Sequence, residues 1–234
     1  PLSLHDALPI SMLGIGGMQL YRAEAPGPVK DNKLTPRITE TAKALWYIYV
    51  TLTVVCGFSY WLAGMDVFDA ICHSFSTVAI GGFSTHDSSI AFFDNPLIEM
   101  ICVFFMFFAG VNFALHFVSW RNRSVMHYLS DAEFVFYFKV MCAITLITIL
   151  TLLLNNTYDS AFEAIRYGVF EAVSISTTTG FATANYAAWP NLVPALLLMG
   201  SFIGGCAGST GGGVKVIRAL LMSKQWMREM HRLI

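Results

Sequence analysis

Two polar, glycine-bearing stretches interrupt an otherwise apolar chain, and they read as copies of one another. Ser76 to Thr85 is STVAIGGFST and Ser174 to Thr183 is SISTTTGFAT, with Gly82-Phe83 aligning on Gly180-Phe181. The chemistry open to these residue types is cation coordination by oxygen. A dehydrated potassium ion needs oxygens that replace its hydration shell, and the carbonyls of an extended loop supply them. Glycine admits the unusual backbone angles that point successive carbonyls inward, and threonine can add a hydroxyl oxygen. The predicted ligands are the carbonyls of Ala79, Ile80, Gly81 and Gly82, and of Thr177, Thr178, Thr179 and Gly180. One such stretch alone could equally be a tight helix contact through small residues. Two in the same repeated context favour a filter.

A third run, GGCAGSTGGG, covers Gly204 to Gly213. Each glycine costs a helix roughly 1 kcal/mol relative to alanine, so this run does not make a stable one. Backbone freed at membrane depth must face water or protein. The run therefore reads as a flexible barrier across a pore, a gating loop made of Gly204, Gly205, Gly208, Ser209, Thr210, Gly211, Gly212 and Gly213, with Lys215 placed to interact with it. The spacing Gly200, Gly204, Gly208, Gly212 would also suit helix packing. A phosphate-binding loop is excluded, because Val214 stands where that motif requires lysine.

The elements that must hold these stretches follow from composition. The 234 residues are 56% hydrophobic and 12% charged, against about 25% charged in soluble domains. Ala44 to Ala63 is uncharged and long enough to span a bilayer. Asp66 to Val78 is shorter and suits a half-spanning helix, capped by Asp66 or Asp69. Leu97 to Trp120, which Pro96 starts, is long enough to span, though Glu99, Asn112 and His116 interrupt it. Phe134 to Leu154 spans; Ser160 to Ser174 is a second half-helix; Asn191 to Gly205 starts a last membrane helix; Val214 to Ile234 resumes with one apolar and one basic face. Span, half-helix, polar loop, span is thus stated twice. Repetition in the same orientation implies an axis along the membrane normal. The expected fold is an all-α membrane protein of such units. Each half-helix would bring the negative end of its dipole toward the pore centre, which favours a cation there.

The expected divisions are a non-native scar at 1–10, the end of an earlier unit plus a cytoplasmic linker at 11–43, one repeat at 44–120, a cytoplasmic loop at 121–133, and a further repeat with a broken second helix at 134–234. If the spans alternate across a bilayer, every lysine and arginine except Arg166 falls on one side. Excess Lys and Arg marks the cytoplasm, so the filter loops face outward. Cys56, Cys72, Cys102, Cys142 and Cys206 read as small buried thiols in helices. The net charge of −1 carries no message about nucleic acid. Arg166 is expected to pair with Glu163 or Glu171; His73 and Glu171 to bond locally behind the filter; Asn112 and His116 to bond between helices. No nucleophile, base and orienting group can be assembled, so an enzyme is disfavoured.

At DAICHSFSTVAIGGFSTHDSSI, SISTTTGFAT and GSFIGGCAGSTGGGVKVIR the chain resembles the Trk/Ktr/HKT superfamily of potassium transporters, in its bacterial Trk-type membrane subunit. The resemblance runs from about Ser11 onward and implies the end of a first unit followed by units two and three of four. It implies filter roles for Ile80, Gly81, Gly82, Thr178, Thr179 and Gly180, and a gating intramembrane loop at Gly204 to Gly213. It also implies residence in the bacterial inner membrane among lipid, a homodimer, and a cytosolic regulatory ring that binds nucleotides. The potassium ion is the cargo, and no bound cofactor is expected. Sodium or mixed sodium–potassium transport, and a non-conducting membrane scaffold, are the rival readings.

Overall fold

A computed structural model describes residues 38–190 and 192–233. The expected scar at 1–10, the stretch 11–37 and Asn191 lie outside the described residues. Among the described residues every regular element is helical. The helices are α1 (Ile38–Leu62), α2 (Val67–Val78), α3 (Pro96–Ala109), α4 (Phe113–Arg121), α5 (Met126–Ser130), α6 (Ala132–Leu154), α7 (Ala161–Ser176), α8 (Leu192–Ile203) and α9 (Val216–Leu233). Short 3₁₀ turns lie at Ser89–Phe93 and Tyr186–Ala188.

Polar side chains set the starts of these helices. Asp66 accepts from the N–H of Phe68, Asn95 from Leu97, Asp131 from Phe134 and Ser160 from Phe162. Each satisfies an orphan donor in a first helical turn, worth about 1 kcal/mol. Ala42–Leu62 and Ala132–Leu154 are long and apolar enough to cross a membrane. The half-helices are shorter, with 12 residues in α2 and 16 in α7.

The span expected from Leu97 to Trp120 is not one helix. It breaks after Ala109, and α4 leaves α3 at 93°. Asn112 is the cause at the residue level: its side chain accepts from the N–H of Ala114 and starts α4 afresh. α1 also begins at Ile38, inside the segment assigned to the linker, and α5 forms within the expected loop at 121–133.

α1 packs on α2, and α6 packs on α7 and α8. The two repeats meet where α3 packs on α7. One core spans both, with Tyr60, Val78, Cys102, Met106, Phe170 and Phe181 buried together. A smaller core of Ile144, Leu152, Ala172, Val193 and Leu197 holds α6, α7 and α8. Phe58, Trp61, Leu146 and Leu150 stay exposed, as apolar side chains facing lipid do. Cys142 is exposed and Cys72 half-buried, unlike the three buried thiols Cys56, Cys102 and Cys206.

Candidate functional site: two filter turns and a glycine loop

Each half-helix ends in the same backbone device. After α2, the N–H of Ile80 donates to Thr77 O (3.1 Å) and that of Gly81 to Ser76 O (2.8 Å). After α7, Thr178 donates to Ile175 O (3.0 Å) and Thr179 to Ser174 O (2.9 Å). This is a Schellman ending, which wants glycine in its left-handed position. Here that position holds a β-branched residue in both copies: Ile80 at φ 55° and Thr178 at φ 70°. Such a residue in that region costs on the order of 1–2 kcal/mol, and strain of this kind gathers at functional sites. Two residues on, Gly82 (φ 67°) and Gly180 (φ 90°) are left-handed again, whereas Ala79 and Thr177 are right-handed at φ −75° and −76°.

The helix-ending hydrogen bonds use donors of the turns and leave their acceptors alone. No carbonyl from Ala79 to Gly82 or from Thr177 to Gly180 accepts a hydrogen bond from a described residue. The threonine hydroxyls, by contrast, are engaged. Thr177 donates to Val173 O (2.8 Å) and accepts from Thr179 (2.7 Å). The two turns meet: a Cβ added to Gly82 would lie 2.0 Å from the carbonyl oxygen of Thr179. Farther along, Ala91 N–H donates to Ala182 O, and Ala182 N–H to the Ser89 hydroxyl, both at 3.2 Å.

Side chains behind the turns prop their outgoing limbs. In the first repeat His73 donates from Nδ1 to Asp69 O (2.8 Å), which fixes its tautomer, so Nε2 accepts from the Ser84 hydroxyl (2.9 Å). In the second, Glu171 Oε1 accepts from the N–H groups of Thr183 (2.7 Å) and Ala184 (3.1 Å). Both props are fully buried. At the outer end of α2, Thr85 donates to Asp69 (2.7 Å) and His86 Nε2 to its other oxygen (3.0 Å). These two bonds, Thr85 first, hold the Asp69 carboxyl below the usual carboxylate range.

Arg166 corrects an expectation. It pairs with neither Glu163 nor Glu171. It clamps Glu99 with Nε (2.7 Å) and Nη2 (2.8 Å) and also reaches Asp94 (2.8 Å). Glu99 is 1% exposed, so this bidentate pair is a buried bolt between the repeats. His116 bonds between helices as expected, donating to Phe108 O of α3 (3.0 Å) and accepting from Tyr128 of α5 (2.7 Å), whereas Asn112 caps its own helix.

The glycine loop closes on itself and reaches the end of α2 and the turn after α7. Its neck is made by Val214 N–H to Phe202 O (2.8 Å), Lys215 N–H to Ile203 O (3.1 Å) and Val216 N–H to Gly205 O (3.0 Å). A Cβ at Gly204 would sit 2.1 Å from Gly212 O, so only glycine allows that crossing. Within it Ser209 donates to Cys206 O, and Lys215 Nζ donates to Gly211 O. Thr210 donates to Val78 O (2.8 Å) at the end of α2, and Gly212 N–H donates to the Thr178 hydroxyl (2.8 Å). The break between α3 and α4 is its seat: Cys206 N–H donates to Gly110 O (2.8 Å), and Phe113 N–H to Gly208 O (3.0 Å). Glu133 accepts from Ala207 N–H (2.7 Å). Neither Glu133 nor the 110–112 break was singled out from sequence; a glycine and an asparagine two apart inside an apolar run was the available signal for the break.

Comparison with known proteins shows the family. The family described as TrkH, Cation transport protein, matches residues 7–234. The chain is 56% identical over 222 residues to the Trk system potassium uptake protein TrkH of Halomonas elongata, covering 95% of this chain and 46% of that protein. Against the Escherichia coli K12 protein of the same name it is 56% identical over 225 residues, covering 96% and 47%. The crystal structure of the potassium transporter TrkH from Vibrio parahaemolyticus superposes with a TM-score of 0.86 at 46% identity, over 97% of this chain and 47% of that one. The chain thus spans about half the length of the curated relatives it matches.

Proposed function

This chain belongs to the TrkH family of cation transport proteins, and on that premise we propose that it contributes two filter turns and the gate to a channel-like pathway for potassium uptake. The observation that carries the reading is the pair of strained, abutting turns whose eight carbonyls accept no hydrogen bond from a described residue. A backbone carbonyl at membrane depth needs a partner, and a desolvated cation supplies one. Alternating the sign of φ is how a short loop turns successive carbonyls toward one axis. The dipoles of α2 and α7 end at these turns and add negative potential there. The names of the relatives select potassium as the cargo.

The glycine run, in this reading, is the barrier below the filter: it is bonded to the end of α2 and to Thr178 at once. The basic loops lie on the cytoplasmic side of the inner membrane, the filter turns face outward, and the working unit is a homodimer with a cytosolic nucleotide-binding regulator. The test is transport by the full-length protein carrying this sequence. It rescues potassium-limited growth of a transport-deficient cell, and shortening Gly204 to Gly213 makes its potassium flux leakier. Failure of rescue contradicts uptake; equal sodium and potassium flux contradicts the selectivity; unchanged flux in the shortened variant contradicts the barrier.

A further inference from the structure

Ala207 is the point of the glycine loop that the surrounding protein holds from two sides. Its N–H donates to Glu133 Oε1 at 2.7 Å, a short bond to a carboxylate. Its side chain is buried with Ile217 and Leu220 of α9, against Phe136 of α6. Glu133 lies in the first turn of α6, where its charge also complements the positive end of that helix. Asp131 and Lys215 lie close enough to bias it electrostatically, with opposite signs. The Lys215 ammonium also grips the loop, donating to Gly211 O, whereas its bonds to the carbonyls of Val78, Ala109 and Gly110, the N–H groups of Phe113 and Val216 and the hydroxyl of Thr178 end on neutral groups. Glu133 is the one carboxylate that grips it among the described residues.

We propose that Glu133 is the latch of the glycine loop, a positioning residue that holds the barrier shut through the N–H of Ala207, at the residue on which α9 also rests. The proposal rests on the barrier reading above. A charge-assisted bond weighs more in a two-state equilibrium than a neutral one. Its loss shifts the balance of shut and open loops without touching any oxygen assigned to the ion. Because α9 packs on the same residue, a displacement of α9 and a loss of the Glu133 bond release the loop in the same direction.

Cys206 provides the readout. It neighbours Ala207, is 1% exposed, and becomes accessible only if the loop leaves its seat. The experiment uses the full-length protein in liposomes, with Cys56, Cys72, Cys102 and Cys142 replaced, and measures rubidium flux and the rate at which a membrane-impermeant maleimide labels Cys206. Glu133→Ala is expected to raise both by roughly tenfold. Glu133→Gln keeps an acceptor oxygen without the charge and falls between wild type and alanine, and it serves as the fold-preserving variant if alanine fails to reach the membrane. A general loss of packing would not order the variants by acceptor strength. A loop shortened between Gly204 and Gly213 is run beside them. If the shortened loop leaks while both Glu133 variants match wild type in flux and labelling, the latch is wrong and the barrier stands. If the shortened loop does not leak either, the barrier reading fails and takes the latch with it.

Discussion

The two repeats share a backbone and differ in what surrounds it. Both half-helices end in a Schellman turn with a β-branched residue forced left-handed, followed two residues later by a left-handed glycine. Around that common turn nearly everything has changed. Gly82 abuts the Thr179 carbonyl, whereas Gly180 has open space where a Cβ would stand. A neutral histidine props one outgoing limb and a carboxylate the other. The second helix of the first repeat breaks in three residues around Asn112, and that of the second breaks in a glycine loop. What the two repeats share is the backbone turn, and the side chains around it diverge while each limb stays held.

This comparison can be broken at its largest asymmetry. Gly82→Ala drives a Cβ into a backbone carbonyl in a left-handed residue, and we expect a loss of about 4 kcal/mol in thermal unfolding together with loss of flux. Gly180→Ala carries only the conformational strain, about 1 kcal/mol, and keeps measurable flux with reduced preference for potassium over sodium. Equal effects at the two glycines would show that the turns are not packed as described. The bolt between repeats ranks next. Arg166→Gln leaves the Glu99 carboxylate buried and uncompensated, and unfolding in detergent is expected about 3 kcal/mol easier; an unchanged melting curve contradicts the bolt.

The props come third. Glu171→Ala frees two N–H groups behind the second turn and is expected to cost about 2 kcal/mol and to lower the potassium-to-sodium flux ratio. His73→Ala releases the Ser84 hydroxyl and one bond to Asp69 O, and costs about 1 kcal/mol. A larger effect at His73 would reverse the assignment of the stronger prop. The smallest effect is at the outer end of α2. Asp69 is held below the usual carboxylate range, so its ionised form stabilises the fold above the ordinary carboxylate pKa, and that contribution is lost as pH falls through the lowered value. Asp69→Asn should therefore lower stability by under about 1 kcal/mol at neutral pH, with the difference from wild type closing only in acid. A difference that grows on acidification has the wrong sign.

Much of this was legible in the sequence because it is local. Long apolar runs mark the spans, Asp66 and Ser160 mark starts of half-helices, and the matching of Gly82 with Gly180 marks the repeat. What local spacing does not carry is which repeat a side chain faces. Arg166 finds Glu99 across 67 positions of sequence, past closer carboxylates at Glu163 and Glu171. Asn112 was visible as an interruption of the apolar run, but both flanks are apolar, so its action as the cap of a new helix was not. Glu133 fell within the expected loop at 121–133, and its partner lies 74 positions away.

The central claim is that a cation loses its water among the carbonyls of Ala79 to Gly82 and Thr177 to Gly180. Anomalous diffraction from rubidium-soaked crystals of the full-length protein tests it most directly. The account predicts density within coordination distance of carbonyls from both turns. Rubidium bound elsewhere, with those carbonyls turned from any shared axis, would contradict it.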